Sequence, residues 1–239
     1  MRTCLCLVLG LCFTAAVNGE SPDLSKATQL IIDQTNEFRK QEKQPAVGVS
    51  KELTKAAEYF AQFMAKTGKY SHEADDKKPA ERAKEHGYEY CIVLENIAYV
   101  SNSEGFTTEA LAKEFVKGWQ DSPGHRKNML DPDVTDTGVA IARSEESGRY
   151  YAVQMFGRPK SKAIEFQITN RADVEIEYKV GDEEFKLPER TTRKHQECRP
   201  SEISFKAPKE LADTKPVKLT GGEKLTITGK DGKYEVKKE

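Results

Sequence analysis

Trp119-Gln120-Asp121-Ser122-Pro123-Gly124-His125-Arg126-Lys127-Asn128-Met129-Leu130 is the stretch on which the reading of this chain turns. Its tryptophan closes an apolar stripe, Ala110, Leu111, Phe115 and Trp119, at helical spacing. Thr107 or Thr108 can cap that helix, which runs to about Gln120. A Ser-Pro-Gly turn follows. His125, Arg126 and Asn128 then stand against Met129 and Leu130, so polar and titratable groups enter apolar surroundings. Arg126 and Asn128 suit a role in fixing the turn or pairing with carboxylates. Trp119 reads as core.

Two other stretches have the same character. Tyr70-Ser71-His72-Glu73 follows a helix, and Leu94-Glu95-Asn96-Ile97-Ala98 lies inside the apolar run 90–100. Glu95 is the sharpest case, because a carboxylate in a buried run costs several kcal/mol unless paired or metal-bound. Its plainest role is to accept hydrogen bonds from backbone or from Asn96. The mature chain has four histidines, at 72, 86, 125 and 195. There is no H-E-x-x-H, no C-x-x-C pair, no phosphate-binding glycine loop and no G-x-S-x-G. His86 reads as a solvated helix-end residue, and His195, beside the basic run 190–194, as a loop residue.

Outward from these stretches the chain divides. Leu24, Ala27, Ile31 and Phe38 share one helix face, with Asp23 or Ser25 as cap and Gln44-Pro45 as stop. Ser50 caps a second helix whose apolar face is Ala56, Ala57, Phe60, Ala61, Phe63 and Met64, ended by Gly68. A short helix starts near Pro79 and stops at Gly87. Residues 134–142 and 149–156 read as strands joined by Ser147-Gly148. After Arg158-Pro159-Lys160 helical periodicity disappears. Short alternating runs such as Ile164/Phe166/Ile168, Val174/Ile176/Tyr178 and Leu225/Ile227 are separated by turn residues, which predicts a small β-sandwich or barrel. The organisation expected is therefore 1–19 as a signal peptide, 23–158 as an α+β domain and 160–239 as a small β-rich domain.

Composition agrees. The chain has 239 residues, 37% hydrophobic and 32% charged, with a formal net charge of −1. No overall field favours nucleic acid or an anionic membrane. Arg2 followed by the apolar run from Leu5 to Ala16 is too short to span a bilayer and reads as a secretory signal. It takes Cys4, Cys6 and Cys12 with it and leaves Cys91 and Cys198. In an exported protein these two can form one disulfide, worth at most a few kcal/mol in chain-entropy models. They fall in different expected domains, so two separate thiols are equally open. No later stretch is apolar enough to cross a membrane.

Taken together, these motifs resemble the CAP superfamily, also called the SCP or pathogenesis-related-1 domain, over residues 27–157. Thr35-Asn36-Glu37-Phe38-Arg39 is similar to its first-helix N-x-x-R signature. The Ser71-His72 pair, then Arg82 with Gly87-Tyr88, follow in the family's order. Leu94 to Ala98 is similar to the G-E-N-I-A of bacterial members, with leucine for glycine. Ser122 to Leu130 is similar to S-P-G-H-R-x-N-[IML]-L. Thr137 to Ala140 and Tyr151 to Gly157 match the paired closing strands. The resemblance implies an α–β–α sandwich with a cleft holding two histidines and acidic residues, here followed by an all-β unit.

By motif, His72 and His125 correspond to the two histidines and Glu95 to the acid of the E-N segment. Many eukaryotic members carry a second glutamate where this chain has Ser122, so the four-residue set is incomplete. Two imidazoles on facing elements can hold a zinc-like divalent cation with positions open for water. Glu95 would orient one of them, and Ser122 could donate a hydrogen bond in place of the missing acid. The expected metal ligands are thus His72 and His125, and the expected ligand contacts Glu95, Asn96 and Ser122. Ser122 lies three residues from His125, which does not set a base against a nucleophile without a special turn. Binding is favoured over catalysis, because the acidic set is incomplete and no nucleophile is evident. The expectation is a secreted or periplasmic binding protein for a divalent cation, a lipid-like molecule, a peptide or another cell-envelope component. The alternatives are a metal-dependent hydrolase using the same cleft and a purely structural interaction protein.

Overall fold

The protein is described by a computed structural model covering residues 21–239. The expected signal peptide, with Cys4, Cys6 and Cys12, lies outside the described residues. Helices α1 (Leu24–Gln41), α2 (Lys51–Thr67), α3 (Pro79–Glu85), α4 (Thr108–Asp121) and α5 (Pro123–Met129) alternate with strands β1 (Gly48–Val49), β2 (Tyr90–Val100), β3 (Asp136–Arg143) and β4 (Tyr150–Pro159). Three long helices start where a short oxygen-bearing side chain takes up a free backbone N–H. Asp23 accepts from the N–H of Lys26, Ser50 from Leu53 and Thr107 from Ala110. Gly68 ends α2 at φ 68°, the left-handed conformation glycine adopts without penalty.

The four strands form one sheet in the order β1-β3-β4-β2, so β2 is an edge strand. Strand β4 is central, and its run Tyr150 to Gly157 is buried on both faces. Alternation along it assigns each side chain to a layer. Tyr150, Ala152 and Phe156 join the core under α1 and α4, with Ile31, Phe115 and Trp119. Tyr151, Val153 and Met155 join the core under α2 and α3, with Leu53, Phe60 and Met64. This is the α–β–α sandwich expected. Helix α2 presses so closely on β3 that a methyl group on Gly138 would overlap the backbone of Leu53 and Thr54.

The rest of the chain is almost all β. It contains β5 (Ile164–Asn170), β6 (Ile176–Val180), β7 (Glu183–Leu187), β8 (Thr192–Glu197), β9 (Ser201–Ala207), a one-turn helix α6 (Lys209–Ala212), β10 (Val217–Leu219), β11 (Lys224–Lys230) and β12 (Lys233–Lys238). They form two four-stranded sheets, β10-β9-β6-β7 and β12-β11-β5-β8. Their shared core includes Phe166, Ile168, Ile176, Tyr178, Phe205, Leu225 and Ile227.

One expectation is corrected here. His195 is not on a loop: it sits in β8, 8% exposed, stacked on Phe166 and hydrogen-bonded through Nε2 to the Tyr178 hydroxyl at 2.9 Å. The segment Thr192 to Glu197 carries one inward-facing residue, and that residue is a histidine. It therefore shows no aliphatic alternation.

Cys91 of β2 and Cys198, just after β8, are joined in a disulfide with a Cα–Cα distance of 5.2 Å. Arg199 extends the junction, bonding Asp131 through Nη1 at 3.0 Å and Nη2 at 2.8 Å, and Asp133 at 2.7 Å. Among the described residues no helix is long and apolar enough to cross a membrane.

Candidate functional site

Strand β2 organises the site because successive side chains point to opposite faces. Glu95 faces the α2/α3 layer and Asn96 faces the α4/α5 layer. Each supports one histidine, Glu95 through the His72 ring and Asn96 through the His125 carbonyl, and the rings are near enough for His72 to lower the His125 pKa.

On the first side the chain leaves α2 at Gly68 and turns through His72 before α3. The His72 Nδ1–H donates to Glu95 Oε1 at 2.8 Å, since an ionised carboxylate only accepts. In the neutral ring that bond leaves Nε2 as the acceptor, on a side chain 50% exposed. The other oxygen, Oε2, accepts from Arg82 Nη2 at 2.7 Å. Arg82 is fully buried. Its guanidinium also bonds Asp75 Oδ1 and the Lys77 carbonyl at 2.7 Å each and the His72 carbonyl at 2.9 Å, and lies 3.6 Å over the Phe60 ring. Glu95 is thus a buried anion with a buried cation behind it, the arrangement a desolvated charge needs.

The second side is neutral. Asn96 is fully buried, and its Nδ2 donates to the His125 carbonyl and to Gln154 Oε1, both at 3.2 Å. Its Oδ1 accepts from Asn128 Nδ2 at 2.9 Å, and Gln154 Nε2 donates onward to Thr35 Oγ1 at 2.8 Å. The His125 ring makes no hydrogen bond to any described residue. Burial, and then the neighbouring His72, lower its pKa, which keeps it neutral. Ser122 ends α4 and begins α5, half-buried, with no capping bond from its side chain.

Outer residues brace this frame. Arg39, fully buried, donates to the carbonyls of Pro45 and Met129 at 2.7 Å and of Asp131 at 3.0 Å, fixing the turn after α5. Asn36 clamps the Val47 peptide with two bonds, at 2.9 and 3.1 Å. Arg126 pairs with Glu42 at 2.6 Å, as its carboxylate-pairing role anticipated. Side chains also cap carbonyls of β2. Asn128 donates to Glu95 at 3.1 Å, and Tyr70 and Trp119 donate to Ile97 at 3.1 and 3.4 Å.

Of the residues singled out in the sequence, His72, His125 and Ser122 are within reach of solvent, while Glu95 and Asn96 are buried behind the histidines. Asp75 and the cationic role of Arg82 were not anticipated. Nothing in Glu73-Ala74-Asp75-Asp76 tells which of its acids will meet an arginine. Among the described residues no group of three or more His, Cys, Asp or Glu side chains converges to hold a metal ion. Both Glu95 oxygens are occupied, so the donor set is two imidazoles and does not complete a three-ligand protein site.

The chain is similar to known proteins over its first two thirds. A protein of Bacillus subtilis, the uncharacterized YkwD, is 30% identical over 129 residues, which is 54% of this chain and 46% of that protein. The chain thus spans about half the length of the curated relative it matches. A solved outer surface protein of Borrelia burgdorferi is similar in fold, with a TM-score of 0.51 at 18% identity, over 59% of this chain and 99% of that one. An SCP-domain extracellular protein of Bacillus anthracis aligns with a TM-score of 0.48 at 24% identity, over 56% and 41% of the two chains. The family model described as CAP, cysteine-rich secretory protein family, matches residues 32–156, more than half of the chain. The sandwich, the histidines supported from β2 and this match together establish that the protein belongs to the cysteine-rich secretory protein (CAP) family.

Proposed function

We propose that this chain is an exported binding module whose ligand sits between His72 and His125. One observation carries the reading. A His72 ring locked in one tautomer by a buried carboxylate stands near a neutral His125 ring with no partner among the described residues. Such a cleft offers directed acceptor and donor nitrogens to a polar ligand group. Export is supported by the secretory character of residues 1–19 and by the Cys91–Cys198 disulfide, which persists in an oxidising compartment.

Binding is preferred to hydrolysis on chemical grounds. Glu95 is engaged on both oxygens and is not free to act as a general base. Ser122 has no imidazole bonded to it that would activate it. A divalent cation, zinc first, would find two imidazole ligands here and no third side-chain ligand among the described residues, so any affinity would be weak.

The test is calorimetry on the metal-stripped mature protein and on its His72→Ala/His125→Ala variant. Zinc, soluble cell-wall fragments and short-chain lipid are titrated in turn. Saturable binding that vanishes in the double variant is expected for at least one of them. Binding that persists in the double variant sinks the proposal, and metal-dependent turnover abolished by His125→Ala would put the hydrolase first.

A further inference from the structure

Two of the three exposed aromatic residues among those described, Tyr70 and Tyr99, are in contact with each other, and the third, Tyr90, lies at the far end of β2. Tyr70 and Tyr99 are 44% and 42% exposed, and their rings meet edge to face with centroids 4.9 Å apart. Tyr70 precedes His72 by two residues, and its hydroxyl is anchored on the Ile97 carbonyl at 3.1 Å. Tyr99 lies on the same face of β2 as Glu95, four residues on, a span of about 13 Å. Its ring leans on Tyr151, 5.7 Å away, and the Arg149 guanidinium lies 4.8 Å from its centroid. Arg149 is exposed and comes from the β3–β4 turn, which also presents the exposed Glu145 and Glu146. A chain of ring and guanidinium contacts thus links Tyr70, Tyr99 and Arg149, beginning two residues from His72.

Each of the two rings is held before any ligand arrives, one by a hydrogen bond and one between a ring and a guanidinium. Little side-chain freedom remains to be lost on binding. The chemistry of the surface selects a class of ligand. Rings 44% and 42% exposed present faces to solvent and do not bury an acyl chain. One arginine beside two glutamates gives no field for a polyanion. Flat ring faces next to guanidinium donors and carboxylate acceptors match a molecule with an apolar C–H face and a rim of hydroxyls. We infer that Tyr70, Tyr99 and Arg149 form a glycan-binding ledge that continues the His72–His125 cleft. The inference rests on that cleft being the near end of the site.

Sedimentation of the mature chain with insoluble peptidoglycan, chitin and cellulose tests it. Phosphatidylethanolamine/phosphatidylglycerol vesicles serve as the non-glycan comparison. Retention on at least one glycan is expected, weakened roughly ten-fold in Tyr99→Ala and several-fold in Arg149→Ala. Near-UV circular dichroism of both variants confirms that they fold. Retention on no glycan, retention on vesicles alone, or unchanged retention in both variants overturns the inference. The His72→Ala/His125→Ala protein separates the two readings. Glycan binding kept there but lost in Tyr99→Ala overturns the ledge as a continuation of the cleft and leaves the cleft reading to the zinc and lipid titrations. Loss there with full retention in Tyr99→Ala and Arg149→Ala supports the cleft and overturns the ledge.

Discussion

The two walls of the cleft hold equivalent side chains by opposite means. Behind His72 stands a buried ionic chain, Asp75, Arg82 and Glu95, in which every charge is desolvated. Behind His125 stands a chain of neutral amides, Asn128, Asn96 and Gln154, ending on Thr35. The charged wall fixes the tautomer of its imidazole through the ring itself. The neutral wall holds only the backbone of its histidine, through the His125 carbonyl, and leaves the ring free. A buried ion pair contributes little net stability but is costly to break singly, whereas an amide network is cheaper to disturb. The walls therefore differ in how they should fail.

The largest effect is expected from Arg82→Met. It leaves Asp75 and Glu95 buried without their cation, at a cost of about 3–5 kcal/mol in urea unfolding. A cost under about 1 kcal/mol would mean the charged wall is not desolvated as described. Asn96→Ala breaks the neutral wall, strands Gln154 Oε1 and leaves Asn128 Nδ2 only the Glu95 carbonyl, for about 1–3 kcal/mol. If that loss equals or exceeds the loss in Arg82→Met, the contrast between the walls collapses.

Acid should sharpen the contrast. His125 and His195 both have pKa values lowered, first by burial, then by His72 and Arg193 respectively. Each is neutral in the fold and binds a proton more readily unfolded. Their contribution is complete above the ordinary imidazole pKa of about 6.5 and is lost as pH falls through the depressed folded values. Urea midpoints should drop between pH 7.5 and 5.5, and His195→Gln should flatten that dependence. An unchanged slope in both His125→Gln and His195→Gln would exclude these rings as its source.

The smallest effect is expected from Arg199→Ala. Arg199 is 44% exposed, and exposed ion pairs are worth about 1 kcal/mol or less. Chemical shifts of Asp131 to Val134 should nonetheless move, because Arg199 and Arg39 hold that turn from two sides. Unmoved shifts would show that the C-terminal sheets do not brace the His125 wall.

Much of this molecule was legible in its sequence. Helical stripes, cap residues and turn signals located the long helices and most strands, because hydrophobic periodicity and backbone capping are local. Glu95-Asn96 could be read as a polar pair in a buried strand, and strict alternation then sends the two side chains to opposite faces. What awaits them there is decided elsewhere in the chain. His72 lies 23 positions from Glu95, and Gln154 lies 58 from Asn96 and 119 from Thr35. No local pattern marks Arg82 as the cation for Glu95, selects Cys198 for Cys91, or turns His195 inward against Phe166. Those assignments depend on which faces are brought together when the apolar stripes are buried. The backbone elements follow from the order of residues, whereas the partners of its buried charges and amides exist only once the layers have closed.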